Sequence, residues 1–410
     1  KRIMRCALIG KTLGHSYSGI IHEKFGYYGY DLVELEENQL EKFVKEGKYD
    51  GFNVTIPYKT AIIKYLDKLD PIASETGAVN TVVRTGGKTY GYNTDVLGMA
   101  YMLKKAGISL AGKNVVICGS GGTGKTAEYV AKKMNAAKIT VVSRKGENNY
   151  SNVYSLVDTQ VIINATPVGM YPYNDVSLLD LKKFSSLEAV ADVIYNPLLT
   201  RLALDAKKLG IKYTGGLIML VAQAKFAMDI FIKRRSPDEI ISSVYAKILK
   251  QTQNIILVGM PGSGKTSVGK AVAKKLMKKY VDSDAAIVEK AGCSVSEIFE
   301  KYGEKHFRSL EKQTLAELGK AHGTVISTGG GAVLDAENYY SLKQNGLIYY
   351  LERPADALAT RGRPLSKNKN AIAEMERVRL PLYREYADKT IENDGDFFAC
   401  VKKIAEDFYN

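Results

Sequence analysis

Two glycine-rich loops in this chain have the spacing that binds phosphate groups. The segments from Gly119 to Thr126 and from Gly259 to Thr266 both read Gly-x-x-x-x-Gly-Lys-Thr, and each follows an apolar run and precedes an amphipathic one. A loop of this kind between a strand and a helix directs backbone N–H groups and the positive end of the helix dipole at a phosphate. The pattern predicts two nucleotide sites, and the residues after each loop decide which nucleotide it takes.

The residues that follow the two loops carry opposite charges. Downstream of the second loop, an apolar run ends in Asp282-Ser283-Asp284, which offers carboxylates for Mg²⁺ and for an accepting hydroxyl, as in phosphoryl transfer from ATP. Downstream of the first, an apolar run ends in Ser143-Arg144-Lys145, and cations there suit the 2′-phosphate of NADP. The first loop also contains Gly-x-Gly-x-x-Gly. We therefore interpret it as a dinucleotide loop that matches the P-loop pattern by chance.

Composition indicates a globular enzyme and disfavours several other classes. The chain has 410 residues, 45% of them hydrophobic and 25% charged, which is long enough for two or three cores. The net charge is +14, but the lysines are dispersed, so we expect no nucleic-acid partner. The first apolar run is too short for a signal peptide or a membrane span, and the four cysteines have no paired spacing. We expect a cytoplasmic protein with no membrane partner.

Short apolar runs alternate with helix-length amphipathic segments along the whole chain, a pattern typical of α/β folds with mostly parallel sheets. Gly86-Gly87 between two such runs predicts a hairpin. A helix is predicted after Pro57, and a long helix over 216–233. We predict three domains: one over 1–95, completed by a C-terminal helix of about 216–250, a second over 96–215, and a third over 254–410.

Candidates for proton transfer lie upstream of the dinucleotide loop. A dehydrogenase needs a group that exchanges a proton with an alcohol or carbonyl while hydride moves to or from nicotinamide. Taken singly, Lys59 is a solvated residue in a first helical turn and Asp95 is a helix N-cap. As a pair they are chemically sensible, because a carboxylate orients an ammonium and keeps it charged.

These segments closely resemble the shikimate dehydrogenase family over residues from about 4 to 235. The motifs occur in collinear order: His15-Ser16-Tyr17-Ser18, Asn53 to Lys59, Gly77 to Thr81, Gly91 to Asp95, Ile163 to Met170, Asp192 to Pro197, and Gly215 to Gln223. The resemblance implies a substrate-binding α/β domain, a Rossmann NADP domain, and a C-terminal helix that returns to the first domain. Ile218 stands where the family has glycine, which predicts crowding near the nicotinamide.

The resemblance also assigns residues to roles. Lys59 and Asp95 become the catalytic pair, and which of them moves the proton stays open. The residues implied to bind 3-dehydroshikimate or shikimate are Ser16, Ser18, Thr55, Asn80, Tyr195 and Gln223. The residues implied to bind NADP(H) are Gly119, Gly121, Gly122, Gly124, Ser143, Arg144, Lys145, Thr166 and Gly216.

The final third has residue types suited to phosphoryl transfer. In a P-loop, backbone N–H groups cradle the phosphates, the lysine meets the β and γ oxygens, and the last hydroxyl binds Mg²⁺. The residues concerned are Gly259, Gly262, Ser263, Gly264, Lys265 and Thr266. From Asn254 to about Tyr409 the sequence resembles shikimate kinase, which implies a parallel-sheet fold of the nucleoside monophosphate kinase type.

This second resemblance implies further roles. Asp282 binds Mg²⁺, and Asp284 orients or deprotonates the accepting hydroxyl. The residues implied to bind shikimate are Arg308, Arg379, Gly329, Gly330 and Gly331. Arg363 is implied to clamp phosphate from a lid, and this lid is several residues shorter than the family normally has.

We therefore predict a bifunctional enzyme of aromatic amino-acid biosynthesis. It reduces 3-dehydroshikimate with NADPH and then phosphorylates shikimate with ATP and Mg²⁺. One alternative is a quinate or NAD-dependent dehydrogenase, against which Arg144 argues. Another is a final third that binds ATP as a regulator with weak or no catalysis, suggested by the short lid. The predicted partners are these small molecules, and homo-oligomer formation is left open.

Overall fold

The computed structural model describes residues 4–14, 16–354, 357–358 and 369–409. The chain divides into two compact units, Lys1–Ile248 and Leu249–Asn410. No helix among the described residues combines the length and the apolar character needed to cross a membrane.

The first unit begins with a mixed sheet. Its described strands are β1 (Arg5–Gly10), β2 (Gly29–Glu34), β3 (Gly51–Val54), β4 (Lys68–Leu69), β5 (Thr81–Thr85) and β6 (Lys88–Tyr92), in the order β2-β1-β3-β5-β6-β4. The helices of this part are α1 (Ser18–Phe25), α2 (Leu40–Glu46) and α3 (Pro71–Thr76). The predicted hairpin is confirmed: Gly86 and Gly87 have φ values of 59° and 77°, as a type I′ turn requires. The helix predicted after Pro57 is instead a 3₁₀ helix, Ala61–Tyr65.

A parallel sheet follows in the same unit. Its described strands are β7 (Asn114–Cys118), β8 (Lys138–Val142), β9 (Val161–Asn164), β10 (Ala189–Asp192) and β11 (Lys212–Thr214), in the order β11-β10-β9-β7-β8. The accompanying helices are α4 (Thr94–Lys105), α5 (Gly122–Lys133), α6 (Arg201–Lys208) and α7 (Leu217–Ile232), and α8 (Glu239–Thr252) spans the boundary between the two units. From β7 the chain adds β8 on one side and then returns to add β9, β10 and β11 on the other, so the switch point lies between β7 and β9. The carboxyl ends of strands at such a switch point form a ligand crevice.

The predicted long helix is confirmed as α7, which packs closely on α4. A Cβ atom at Gly98 would lie 2.8 Å from the carbonyl oxygen of Met219 and 2.8 Å from Cβ of Gln223. Only glycine at position 98 therefore lets the two helix backbones approach this closely. This packing brings the C-terminal helix of the unit back to its first sheet.

The second unit contains a parallel sheet with apolar residues buried on both faces. Its described strands are β12 (Asn254–Val258), β13 (Lys279–Asp282), β14 (Thr324–Ser327), β15 (Gly346–Glu352) and β16 (Lys389–Glu392), in the order β13-β14-β12-β15-β16. The helices are α9 (Lys265–Leu276), α10 (Ser283–Ala291), α11 (Val295–Leu318), α12 (Ala336–Lys343), α13 (Lys369–Tyr386) and α14 (Phe397–Tyr409). Gly303, with φ 80°, interrupts α11 with a kink.

Candidate active sites

One edge of the first sheet gathers several of the predicted substrate residues. Strands β1 and β3 are parallel neighbours, and the N–H of Thr55 donates to the carbonyl of Ile9 at 3.0 Å. The loop after β1 carries Ser16, and Ser18 begins α1, where its N–H donates to Oγ of Ser16 at 3.2 Å. Because β5 runs antiparallel to β3, Asn80 at its start also lies at this edge.

Lys59 and Asp95 form a close ion pair at the same edge. The Nζ atom of Lys59 donates to Oδ2 of Asp95 at 2.6 Å, and the two side chains are 18% and 9% exposed. The N-cap of α4 is Asn93, whose Oδ1 accepts the N–H of Asp95 at 3.1 Å. The capping interpretation of Asp95 is therefore wrong, and its carboxylate serves the lysine.

Asn80 and Gln223 join the first sheet to α7. The amide nitrogen of Asn80 donates to Oε1 of Gln223 at 3.2 Å and to Oγ1 of Thr94 at 3.0 Å. The Nε2 atom of Gln223 donates in turn to the carbonyl of Leu220 at 2.8 Å. Both amides are buried, so this contact holds them in fixed orientations.

Tyr195 follows β10 and lies against Tyr17, in the serine loop (residues 16–18) that follows β1. Its ring centroid is 5.3 Å from that of Tyr17, which stands between the two predicted serines. Burial raises the pKa of the Tyr195 hydroxyl. The contact therefore places a residue of the second sheet beside the serine loop of the first.

The first glycine loop is a short turn in which the helix begins early. Strand β7 ends at Cys118 and α5 begins at Gly122. Gly119 has φ 108°, and a Cβ atom at Gly124 would overlap the carbonyl oxygen of Gly119. Lys125 consequently lies within the first turn of α5, where it is exposed.

A cleft of about 730 Å³ opens at the first glycine loop. The cleft at the second glycine loop is smaller, about 440 Å³. The larger cleft contains the loop glycines from Gly119 to Gly122, the segment Ser143 to Lys145, and Thr166, and it extends to Lys59. Arg144 and Lys145 are exposed. Gly216 was predicted to bind the cofactor, but the structure gives a packing reason for glycine there. A Cβ atom at Gly216 would overlap the carbonyl oxygen of Val193. Sequence reasoning missed Tyr150, which also lines this cleft.

A buried carboxylate supports the Thr166 side of this cleft. The hydroxyl of Thr166 donates to Oδ1 of Asn164 at 2.7 Å, and the amide nitrogen of Asn164 donates to Asp192 at 3.1 Å. The Thr200 hydroxyl also donates to Asp192, at 2.6 Å. Burial raises the pKa of Asp192 to about 6, although these hydrogen bonds oppose the rise.

The second loop has the longer geometry of a P-loop. Strand β12 ends at Val258 and α9 begins at Lys265. The φ values are 151° at Gly259, 91° at Gly262 and 94° at Gly264, so glycine is required at all three. The Nζ atom of Lys265 lies over the loop and donates to the carbonyls of Gly259 and Met260 at 2.7 and 2.9 Å. Lys125 and Lys265 thus occupy the same sequence pattern but opposite environments.

Oxygen atoms suited to Mg²⁺ lie beside this P-loop. The hydroxyl of Thr266 donates to Oδ2 of Asp282 at 2.9 Å. The other carboxylate oxygen of Asp282 caps α10 by accepting the N–H of Asp284 at 3.0 Å. A hydroxyl and a carboxylate oxygen fit a cation that keeps several water ligands. Ser263 is fully buried within the loop, where its carbonyl accepts from Asn393 at 2.7 Å.

The remaining kinase candidates line the smaller cleft with the P-loop. Asp284, Arg308, Arg379 and the glycines 329–331 all face it. A Cβ atom at Gly329 would lie 2.7 Å from Oδ1 of Asp284, so the glycine backbone approaches that carboxylate directly. Arg379 is 6% exposed. Arg363, the predicted lid residue, lies outside the described residues.

Glu311 is a further residue of this cleft, and it was not among the predicted site residues. Its Oε2 accepts from Arg308 at 2.7 Å, while Glu304 accepts from the same guanidinium at 3.0 Å. Burial raises the pKa of Glu311, and Arg308 opposes that effect. Burial alone would lower the pKa of Arg308, but the two carboxylates outweigh it and raise that pKa. The 1% exposure of Glu311 is a tertiary property, and no sequence signal reveals it.

Family models match both parts of the chain. Residues 8–82 match the shikimate dehydrogenase substrate binding domain, and residues 261–408 match shikimate kinase. A shikimate dehydrogenase (NADP(+)) from Methanococcus maripaludis is 35% identical over 252 residues, which are 55% of this chain and 90% of that protein. One from Clostridium perfringens is 34% identical over 245 residues, again 55% of this chain and 90% of that protein.

Solved structures agree with the dehydrogenase matches. A chorismate mutase/shikimate 5-dehydrogenase fusion protein from Clostridium acetobutylicum is 34% identical with a TM-score of 0.57, covering 60% of this chain and 96% of that one. The shikimate 5-dehydrogenase of Thermus thermophilus, solved in complex with NADP(H) and shikimate, is 27% identical with a TM-score of 0.55, covering 60% and 99%. The predicted α/β fold and both resemblances are confirmed, and the alternative functions are not favoured. The chain belongs to the shikimate dehydrogenase family in its first part and carries a shikimate kinase domain in its last.

Proposed function

We propose that the chain catalyses two consecutive reactions. Its first unit reduces 3-dehydroshikimate to shikimate with NADPH, and its second phosphorylates the 3-hydroxyl of shikimate with ATP and Mg²⁺. Lys59, which is paired with Asp95 and lines the cleft of the dinucleotide loop, carries the first assignment. A buried P-loop lysine beside the Thr266–Asp282 contact carries the second. The solved relative with NADP(H) and shikimate supports the choice of substrate and cofactor.

Each predicted domain takes one task in this proposal. Residues 1–95, with the helix of about 216–250, bind the substrate, residues 96–215 bind the dinucleotide, and residues 254–410 form the kinase. The substrate hydroxyls and carboxylate bind Ser16, Ser18, Thr55, Asn80, Tyr195 and Gln223. The fixed Asn80–Gln223 contact supports this grouping, because a rigid amide pair selects ligands by geometry.

In the reduction, bound NADPH supplies a hydride to the carbonyl carbon. Lys59 then donates a proton from Nζ to the carbonyl oxygen as negative charge develops there. Asp95, 2.6 Å away, accepts a hydrogen bond from the ammonium and holds it in line during the reaction. Arg144 and Lys145 bind the 2′-phosphate, and the glycines of the short loop let the backbone approach the pyrophosphate.

In the phosphorylation, ATP supplies the phosphoryl group, and Thr266 with Asp282 would hold Mg²⁺. The N–H groups of the P-loop bind the phosphates, and Lys265 exchanges its loop carbonyls for phosphate oxygens. Asp284 accepts the proton of the 3-hydroxyl. The substrate carboxylate binds Arg308 and Arg379 beside the glycines 329–331, and Arg363 clamps phosphate.

One incubation tests both halves. The full chain, supplied with 3-dehydroshikimate, NADPH and MgATP, should release shikimate 3-phosphate. Lys59→Met should reduce only the redox step, by about 10²- to 10⁴-fold, and still phosphorylate added shikimate. Lys265→Met should instead reduce only the phosphorylation of shikimate and leave the reduction of 3-dehydroshikimate unchanged. Lys125→Met is the matched control, because that exposed loop lysine should affect neither step beyond about twofold.

The outcomes separate the alternatives. If the chain binds ATP but shikimate accumulates without being phosphorylated, the final third is better explained as an ATP-binding regulator. Equal rates with NADH and NADPH would overturn the assignment of Arg144. Loss of phosphorylation in Lys125→Met would overturn the distinction between the two loops.

A further inference from the structure

The glycine loop of the kinase cleft, residues 329–331, is held by hydrogen bonds of two kinds. The carbonyls of Gly329 and Gly331 accept from the backbone N–H groups of Ala332 and Leu334 at 3.1 and 3.0 Å. The carbonyl of Gly330 accepts instead from the hydroxyl of Tyr383 at 2.5 Å. Within the described part of the chain, Tyr383 is the side chain that tethers the middle of this loop.

The Tyr383 hydroxyl also adjoins the predicted carboxylate-binding arginine. Arg379 precedes Tyr383 by one turn of α13, which brings its guanidinium near the hydroxyl. Burial raises the pKa of Tyr383, and the Arg379 guanidinium opposes the rise. The hydroxyl therefore remains protonated and donates to the Gly330 carbonyl.

Gly330 in turn packs on the P-loop. A Cβ atom at Gly330 would lie 2.6 Å from Cδ of Pro261 and 3.0 Å from its nitrogen. The ring of Tyr383 is 1% exposed and stacks on Tyr350, with centroids 5.2 Å apart and planes at 13°. The hydroxyl is thus fixed by a buried aromatic pair and has little freedom to move.

We propose that Tyr383 is the positioning residue of the phosphoryl-acceptor site. Its hydroxyl holds the Gly330 backbone against the P-loop, and so sets the distance between the accepting hydroxyl and the phosphate. Tyr383 acts through the Gly330 backbone and does not touch the reacting atoms. The inference deepens the proposed kinase function and rests on it.

The test compares two tyrosines of one stacked pair. Tyr383→Phe removes the tether, and its buried acceptor loses its partner. We expect the KM for shikimate to rise about tenfold and kcat to fall, with the KM for ATP within about twofold. Tyr350→Phe removes a hydroxyl from the same stack that makes no hydrogen bond to a described residue, and both KM values should stay within about twofold. Dehydrogenase activity on the same chain measures the amount of protein, and thermal unfolding followed by circular dichroism compares the folding of the second unit in each variant.

A rescue variant covers the case in which Tyr383→Phe folds poorly. Tyr383→4-aminophenylalanine has nearly the same size and keeps a donor to the Gly330 carbonyl, so it should return the KM for shikimate to within about threefold of wild type. An unchanged KM in Tyr383→Phe would overturn the inference. An equal rise in the KM values for shikimate and for ATP would also overturn it. So would equal effects of Tyr383→Phe and Tyr350→Phe, or a 4-aminophenylalanine variant whose KM for shikimate stays as high as that of Tyr383→Phe. A wild-type chain that forms no shikimate 3-phosphate would instead reject the kinase function itself.

Discussion

We predict that Asp192 makes the stability of the first unit depend on pH in a direction opposite to that of most carboxylates. It is 0% exposed, and burial raises its pKa from an ordinary 3.8 to about 6. An acid whose pKa is higher in the folded state binds protons more tightly there, so folding is favoured at low pH. That contribution is lost as the pH rises from about 4 through 6.

The size of the effect follows from the pKa difference. A rise of about two pKa units corresponds to roughly 3 kcal/mol between the fully protonated and fully ionised limits. About 1.4 kcal/mol of this falls between roughly pH 5 and pH 7.5, where the protein is easiest to study. The variant Asp192→Asn cannot titrate. The free energy of unfolding of wild type minus that of the variant should therefore fall by about that amount over the same range.

The assay is urea unfolding of the full chain at a series of pH values, followed by circular dichroism and by loss of dehydrogenase activity. A constant offset between the proteins reflects altered hydrogen bonds to Thr200 and Asn164 and is not the test. Asp175→Asn, at an exposed position of the same unit, should give a profile parallel to wild type. Parallel profiles for Asp192→Asn as well would refute the reasoning, because they would show that the buried carboxylate does not titrate in this window.

Three further outcomes follow from the two sites. Arg144→Ala should raise the KM for NADPH about 10- to 100-fold and leave that for NADH unchanged, because one charge-assisted contact to the 2′-phosphate is lost; equal changes for both cofactors would contradict this. Gly124→Ala should destabilise the first unit by about 1–3 kcal/mol in thermal unfolding, since its Cβ overlaps a carbonyl, whereas Gly122→Ala, whose Cβ meets nothing within 4 Å, should not. Chelation of Mg²⁺ by EDTA should abolish phosphorylation and spare dehydrogenation, and Thr266→Val should raise the Mg²⁺ requirement about tenfold if that hydroxyl is a ligand.

The sequence alone predicted which nucleotide each glycine loop binds, because that choice depends on residues close together in the chain. The charges after each glycine loop are fixed by a few neighbouring residues, so the sequence distinguished Arg144 from Asp282 without any knowledge of packing. The alternation of apolar and amphipathic runs predicted the parallel sheets for the same reason. Short-range geometry was less predictable: the helix expected after Pro57 is a 3₁₀ helix, because small differences in turn residues decide such elements.

Side-chain environment required the tertiary structure. Lys125 and Lys265 stand at the same place in one sequence pattern, yet the early start of α5 exposes the first, whereas the longer loop before α9 folds the second over its own carbonyls. In the same way, Asn93 takes the capping role and releases the Asp95 carboxylate for Lys59. Burial of Asp192, Glu311 and Tyr383 depends on strands and helices far apart in the chain, and their chemistry depends on that burial. Residue types determine which reactions are available, but only packing fixes the solvent exposure and the partners that make a particular side chain perform one of them.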